Sequence, residues 1–232
     1  MHYSFNKQKK VYWDKVELPN IPLFSASLTE NIVNKLWEYI EKSKQDIQKN
    51  DQNSKLAGNI SQSLRLHDED DYLMKNLFND ISKLYLNPPA GTILPWNKSL
   101  KSTSHVHNRY VLNSIWVNFQ RQTEFNPVHD HSGLLSFVIW LKVPTNWQEQ
   151  HELIISKQSN CPSASDFQLM YTDILGNICT NNILMSKEIE NVILLFPSQL
   201  KHCVYPFYNS DEERISVSGN ISLDSTSYME WS

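Results

Sequence analysis

From Glu30 onward apolar residues recur at helical spacing, and Ile32, Val33, Leu36, Tyr39 and Ile40 fall on one face. The preceding Ser27-Leu28-Thr29-Glu30 has the form of a capping box, so a helix is predicted to run from there to about Gln48. Residues 1–26 read as an extended lead-in, because Pro19 and Pro22 interrupt any helix. The polar stretch 50–63 reads as a loop. A second helix is predicted from about Asp68, turning Tyr72, Leu73, Leu77, Ile81 and Leu84 inward at spacings of three and four. The acids of Asp68–Asp71 sit at its N-terminus, where the helix dipole favours them, and Asn87-Pro88-Pro89 ends it.

After residue 90 the period shortens. Runs rich in β-branched and aromatic residues appear at Tyr110–Gln120, Leu135–Val143, Gln168–Thr172, Val192–Phe196 and Arg214–Leu223. Gly133, Pro144, Gly176-Asn177 and Pro197 punctuate them. Helices followed by strands predict a mainly β chain with some α: an antiparallel sheet sandwich with the N-terminal helices packed on one sheet. No repeat or low-complexity linker divides the chain. It reads as a single domain over 1–232, with 1–90 a helical support and 91–232 the β core.

Composition narrows the function classes. The chain of 232 residues has only three Cys, with no CxxC spacing, which excludes a disulfide framework and a Cys-rich zinc site. Free thiols and the lack of a signal peptide point to the cytoplasm, so the sequons at Asn59, Asn97 and Asn220 read as unglycosylated. A net charge of −4 gives no reason to expect nucleic acid. No apolar run is long enough to cross a membrane. With five Gly and neither GxGxxG nor GxxxxGK[ST], dinucleotide and P-loop chemistry fall away.

The chemistry lies in the histidines. Two HxH pairs occur, His105/His107 and His129/His131, and in an extended segment residues i and i+2 face the same way. Either pair presents two imidazoles to one metal, and a third ligand must come from elsewhere. For His129/His131 the candidate is His202, placed at a strand mouth after the run ending in Phe196-Pro197. Twelve residues later Arg214, Ser216 and Ser218 alternate with Ile215 and Val217, so one set faces the interior and the other the sheet packing, or the reverse. A guanidinium flanked by hydroxyls inside a barrel suits a carboxylate, since its planar fork gives two parallel bonds.

The segments FNPVHDHSGLLSFVIWLKVP, LLFPSQLKHCVYPF and DEERISVSGNISL, in that order, resemble the iron(II)/2-oxoglutarate-dependent oxygenases over residues 110–223. The likeness is greatest to oxygenases common in T4-like tailed bacteriophages and their cyanophage relatives. It implies a double-stranded β-helix, a jelly roll of cupin-like form with the metal at its open end. It also implies Fe(II), 2-oxoglutarate and O₂ as cofactors, with two His and one carboxylate on the iron. Carried over, His129 is the first ligand, His202 the distal one and Arg214 the 2-oxoglutarate anchor, assisted by Ser216 and lined by Asn118. Where the family has Asp or Glu this chain has His131, with Asp130 beside it. Periodicity favours His131; Asp130 is the alternative if 129–133 is a loop. The implied reaction hydroxylates a C–H bond, with a peptidyl, prolyl-type side chain as one substrate class, and releases succinate and CO₂.

Blander roles are expected elsewhere. His105/His107 read as surface or pocket rim, His67 and His151 as exposed, and Cys203, Trp116 and Trp140 as core. Two other functions fit the same pattern. One is a three-His, cupin-like metal dioxygenase that does not use 2-oxoglutarate. The other is a non-enzymatic jelly roll, such as a virion or binding protein, in which the His cluster is incidental.

Overall fold

The computed structural model describes residues 23–78 and 110–223. Within them, strands β1 (Phe24–Ser27), β2 (Gln62–Arg65), β3 (Tyr110–Gln120), β5 (Leu135–Lys142), β8 (Val192–Pro197) and β10 (Arg214–Leu223) form one antiparallel sheet, in the order β1-β8-β5-β10-β3-β2. Strands β4 (Asn126–His129), β6 (Phe167–Thr172), β7 (Ile178–Ile183) and β9 (Lys201–Val204) form a second, in the order β4-β9-β6-β7. The chain passes repeatedly between the two sheets. This is the expected double-stranded β-helix, mainly β with some helix.

Side-chain alternation builds the layers. Ile115, Val117 and Phe119 of β3, Phe137 and Ile139 of β5, and Ile215 and Val217 of β10 join one apolar layer with Leu36, Tyr39 and Ile40 of helix α1 (Glu30–Lys44). The intervening residues turn the other way. Val138 and Trp140 of β5 and Leu194 and Phe196 of β8 pack against Phe167 and Leu169 of the smaller sheet. A strand buried on both faces is apolar at nearly every position, which is why β5 reads as LSFVIWL, where the one polar residue, Ser136, donates from its Oγ to Asn220 Oδ1 at 2.8 Å. Each such side chain contributes on the order of 1.5–3 kcal/mol by leaving water. Arg214, Ser216 and Ser218 face the space between the sheets, and Ile215 and Val217 the helix.

Several predicted elements differ. The capping box does not form: Ser27 ends β1, Thr29 is the N-cap, and neither side chain caps the helix. Helix α1 stops at Lys44, and a separate turn, α2 (Ile47–Asn50), follows, its Lys49 N–H donating to the Asp46 side chain. The stretch 50–63 is not all loop, because β2 begins within it and pairs with β3. The second helix is a 3₁₀ turn (Glu69–Asp71) and a π-helical turn (Met74–Phe78). Asp68 accepts from the backbone N–H groups of Leu73 and Met74, so the acidic start does cap it. No strand is predicted before residue 90, yet β1 and β2 supply both edges of the larger sheet. The lead-in up to residue 22, Ile81, Leu84, Asn87-Pro88-Pro89, Asn97 and the His105/His107 pair lie outside the described residues.

One glycine is required by geometry. Gly133, between the end of β4 and β5, has φ +104°, and a Cβ there would stand 3.0 Å from the Ile221 carbonyl oxygen. It returns the chain from the smaller sheet to the larger immediately after His131.

Candidate metal centre

His129 ends β4 and pairs in register with His202 of β9, so two imidazoles stand side by side across adjacent strands. His131 lies two residues beyond β4, where its backbone N–H donates to Ser198 O at 2.9 Å. Ring centroids are 4.3 Å apart for His129–His202, 4.9 Å for His129–His131 and 5.0 Å for His131–His202. One ligating nitrogen from each lies within 4.8 Å of the others, and no further His, Cys or carboxylate joins this cluster among the described residues. Asp130 turns outward instead, and its carboxylate pairs with Lys201 Nζ at 2.5 Å. That ammonium holds Asp130 below the usual carboxylate range.

The rings are prepared as ligands. His202 Nδ1 lies 2.9 Å from Leu200 O, and His129 Nδ1 lies 2.7 Å from Pro127 O. A carbonyl oxygen only accepts, so each Nδ1 carries the proton and each Nε2 presents its lone pair. Burial pushes His131 down to about 4 and His202 down to about 3, so both are neutral at pH 7, the state a metal requires. Phe167 stacks on His202 at 5.4 Å and Phe196 meets it edge-on at 5.0 Å, which fixes the ring. Trp116 lies 5.6 Å from His131.

The opposite wall is cationic. Arg214 opens β10, is 2% exposed and lines the same cavity as the three histidines. It forms no ion pair with Asp211 or Glu212: Glu212 pairs with Lys142, and Asp211 accepts from Gln122. Its Nη2 donates to Ser165 O at 2.8 Å and to Ser165 Oγ at 2.5 Å, its Nη1 to Gln120 Oε1 at 3.5 Å, and the Phe207 ring lies 5.0 Å from its Cζ. Burial lowers it to about 9, so it stays charged at neutral pH. Its Nε–H is buried and has no partner among the described residues. A buried donor left unpaired costs about 1–3 kcal/mol, and an anionic ligand oxygen removes that cost. Asn118, Ser216 and Ser218 line the cavity beside it, Asn118 held by Ser63 Oγ at 2.8 Å. Trp116 and Trp140 are core residues as expected, but both also line the cavity.

Sequence reasoning missed four participants. Gln120 shares the parity of Asn118 on β3, a signal that alternation offered. Ser165 and Asp166 lie in a loop with no periodicity to mark them. His151, expected to be exposed, is half-buried with its Nε2 3.0 Å from Asp166 Oδ2. His202, expected at a strand mouth, lies within the short strand β9, which pairs with both β4 and β6. His67 is exposed and Cys203 buried, as expected.

Residues 114–220, just under half of the chain, match the model of the family described as "Putative 2OG-Fe(II) oxygenase". The two-sheet segment therefore carries the sequence pattern of a 2OG-Fe(II) oxygenase family, for which Fe(II), 2-oxoglutarate and O₂ are the implied cofactors. Among solved structures, the chain is similar to a Pseudomonas putida prolyl-4-hydroxylase at 12% identity. That match covers 87% of this chain and 92% of the other, with a TM-score of 0.49. It is also similar to a Trichoplax adhaerens prolyl hydroxylase in complex with a hypoxia inducible factor peptide fragment, at 11% identity, covering 87% and 82%, with a TM-score of 0.44. No curated protein matches the chain. No helix among the described residues is long and apolar enough to cross a membrane.

Proposed function

We propose that this chain is a non-haem iron(II)/2-oxoglutarate-dependent dioxygenase that hydroxylates a C–H bond, acting in the cytoplasm, or in a host's cytoplasm if its nearest relatives are phage oxygenases. The observation that carries this reading is the pairing, across one cavity, of three clustered imidazoles with a buried guanidinium whose Nε–H lacks a partner among the described residues. His129, His131 and His202 would hold the iron, and Arg214, with Ser216 and Asn118 beside it, the far carboxylate of 2-oxoglutarate. When bound, iron and 2-oxoglutarate supply the oxidising chemistry, consuming O₂ and releasing succinate and CO₂. The protein's own part is orientation and exclusion of water. Carbonyl acceptors on Nδ1 keep two ligands in the Nε2-presenting tautomer. Arg214 fixes one end of a dianion by charge-assisted bonds. Trp116, Trp140, Phe167 and Phe196 give the cavity apolar walls. The substrate class supported by likeness alone is a peptidyl, prolyl-type side chain; a small molecule is the other class this cavity admits.

The all-imidazole ligand set also favours a second reading, a three-His metal dioxygenase that does not use 2-oxoglutarate. One experiment separates the two. Purified protein is titrated anaerobically with Fe(II) and 2-oxoglutarate while the visible metal-to-ligand charge-transfer band is followed. The expected band disappears in His202→Ala and requires far more 2-oxoglutarate in Arg214→Ala. Iron binding without a band would transfer the assignment to the three-His enzyme.

A further inference from the structure

Arg214 is the longest buried side chain facing the cavity, and a flexible four-bond stem does not aim a guanidinium by itself. What holds it is a dipeptide from the other side of the molecule. Ser165 is fully buried, and both of its oxygens accept from the same nitrogen, Arg214 Nη2. Ser165 holds this pair of acceptors in the left-handed region, with φ +79°. A non-glycine residue there is strained and persists only where its surroundings over-determine it.

Those surroundings are on the page. Ser165 N–H donates to Pro206 O at 2.8 Å, and Ser165 Oγ lies 3.3 Å from Thr145 Oγ1. Because Ser165 Oγ accepts from the guanidinium, its own proton is free for Thr145. Asp166 follows, fully buried. Its backbone N–H donates to Ser163 O, its carbonyl accepts from Tyr205 N–H, and its Oδ2 takes bonds from His151 Nε2 at 3.0 Å and Asn182 Nδ2 at 2.9 Å. Burying a carboxylate is costly, and a turn that needed only to be a turn would not require one. Here its charge also acts on Arg214.

We infer that Ser165, clamped in a left-handed conformation by Asp166 and its partners His151 and Asn182, is a positioning residue that fixes the Arg214 guanidinium so that its Nε–H edge is left for a dianionic ligand. The inference rests on the proposed function for the identity of that ligand, and on geometry alone for the positioning.

The test has two arms. In the first, side-chain NMR of ¹⁵N-arginine-labelled protein follows rotation of the Arg214 guanidinium, with Arg214→Lys assigning the signal; no ligand is needed. Ser165→Gly suits a positive φ and deletes the hydroxymethyl side chain while keeping the backbone carbonyl. It should convert slow, resolved Nη protons to fast-averaged ones. In the second arm, Fe(II)-loaded protein is titrated anaerobically with 2-oxoglutarate and with pyruvate, which keeps the 2-oxo acid end and lacks the far carboxylate. Ser165→Gly should weaken 2-oxoglutarate about tenfold and leave pyruvate and Fe(II) unchanged. Asp166→Asn, which keeps the volume, should do the same in smaller degree. Unchanged Arg214 dynamics in both variants, or equal losses for both 2-oxo acids, would overturn the inference. If wild-type protein ignores 2-oxoglutarate, the functional reading falls, and the first arm still decides the positioning.

Discussion

The two sheets divide the work unequally. The larger is built from strands of up to eleven residues, and its central members are buried on both faces. It contributes the anion side of the cavity: Arg214, Ser216, Ser218, Asn118 and Gln120. The smaller is built from strands of four to six residues with exposed positions, and its β4–β9 pairing is irregular between Asn126 and His129. It contributes His129 and His202, with His131 just past its edge. The guanidinium is thus mounted on the part of the fold that is hardest to deform. The metal ligands sit where strands are short and the chain can bend through Gly133. A pocket that must meet an ion at close range benefits from ligands able to adjust by a few tenths of an ångström, whereas a long cation needs a rigid frame.

The comparison is broken most severely by damaging the larger sheet where it meets α1. Phe119→Ala removes a buried ring on the face away from the cavity and should cost about 3–5 kcal/mol in chemical denaturation. Iron and 2-oxoglutarate affinities of the remaining folded protein should stay near wild type. A loss of ligand affinity on the scale of the stability loss would mean that the two layers are not separate. The next largest effect separates the walls of the cavity. His202→Ala should weaken Fe(II) by at least about a hundredfold, beyond the 10–100-fold typical of losing a mere supporting group. Arg214→Met keeps the stem's packing and should leave Fe(II) within a few-fold while 2-oxoglutarate weakens by about a hundredfold. Calorimetric titration of each ligand in each variant reads both.

The same inequality decides what the sequence could reveal. Strands β3 and β10 begin and end where predicted, and β5, β6 and β8 agree within one residue at each end, because each carries a run or an alternation of buried β-branched and aromatic residues. None of β4, β7 and β9 was predicted. Asn126–His129 and Ile178–Ile183 carry polar or exposed side chains at most positions, so nothing in NPVH or ICTNNI marks a strand until its partner is present. Strands β1 and β2 failed for the same reason: four residues at a sheet edge are too few to show a period. The three histidines were legible through spacing and family likeness. That Asp130 turns to Lys201 was not, since the choice depends on where β4 stops. Ser165 was invisible because its role lies in a backbone angle rather than in a pattern.

A smaller effect comes from pH. In the metal-free protein, burial holds His202 at about 3 and His131 at about 4, below the ordinary value near 6.5. Between those values and 6.5 the unfolded chain binds more protons than the folded one, so folding stability rises with pH through that window and is lost as pH falls from about 6.5 toward 3. Denaturation midpoints measured from pH 7 to pH 4 should therefore decline. His202→Phe should flatten part of that slope by removing one of the two groups.

The smallest predicted effect tests the exposed side of the smaller sheet. Ile178 begins β7, the edge strand of the smaller sheet opposite β4, and is 82% exposed. Its side chain has left little water, so Ile178→Ser gives up almost no burial and should change stability by no more than about 0.5 kcal/mol. The strand's pairing with β6 is carried by backbone bonds from Ile178 to Ile183, which the substitution leaves in place. The site is also insulated, because β6 and β9 stand between β7 and His129. Iron affinity should accordingly be unchanged. A destabilisation of more than 1 kcal/mol, read by urea denaturation, would show that this edge is covered in solution. The short sheet would then draw part of its strength from a partner strand, and the contrast with the self-sufficient larger sheet would sharpen.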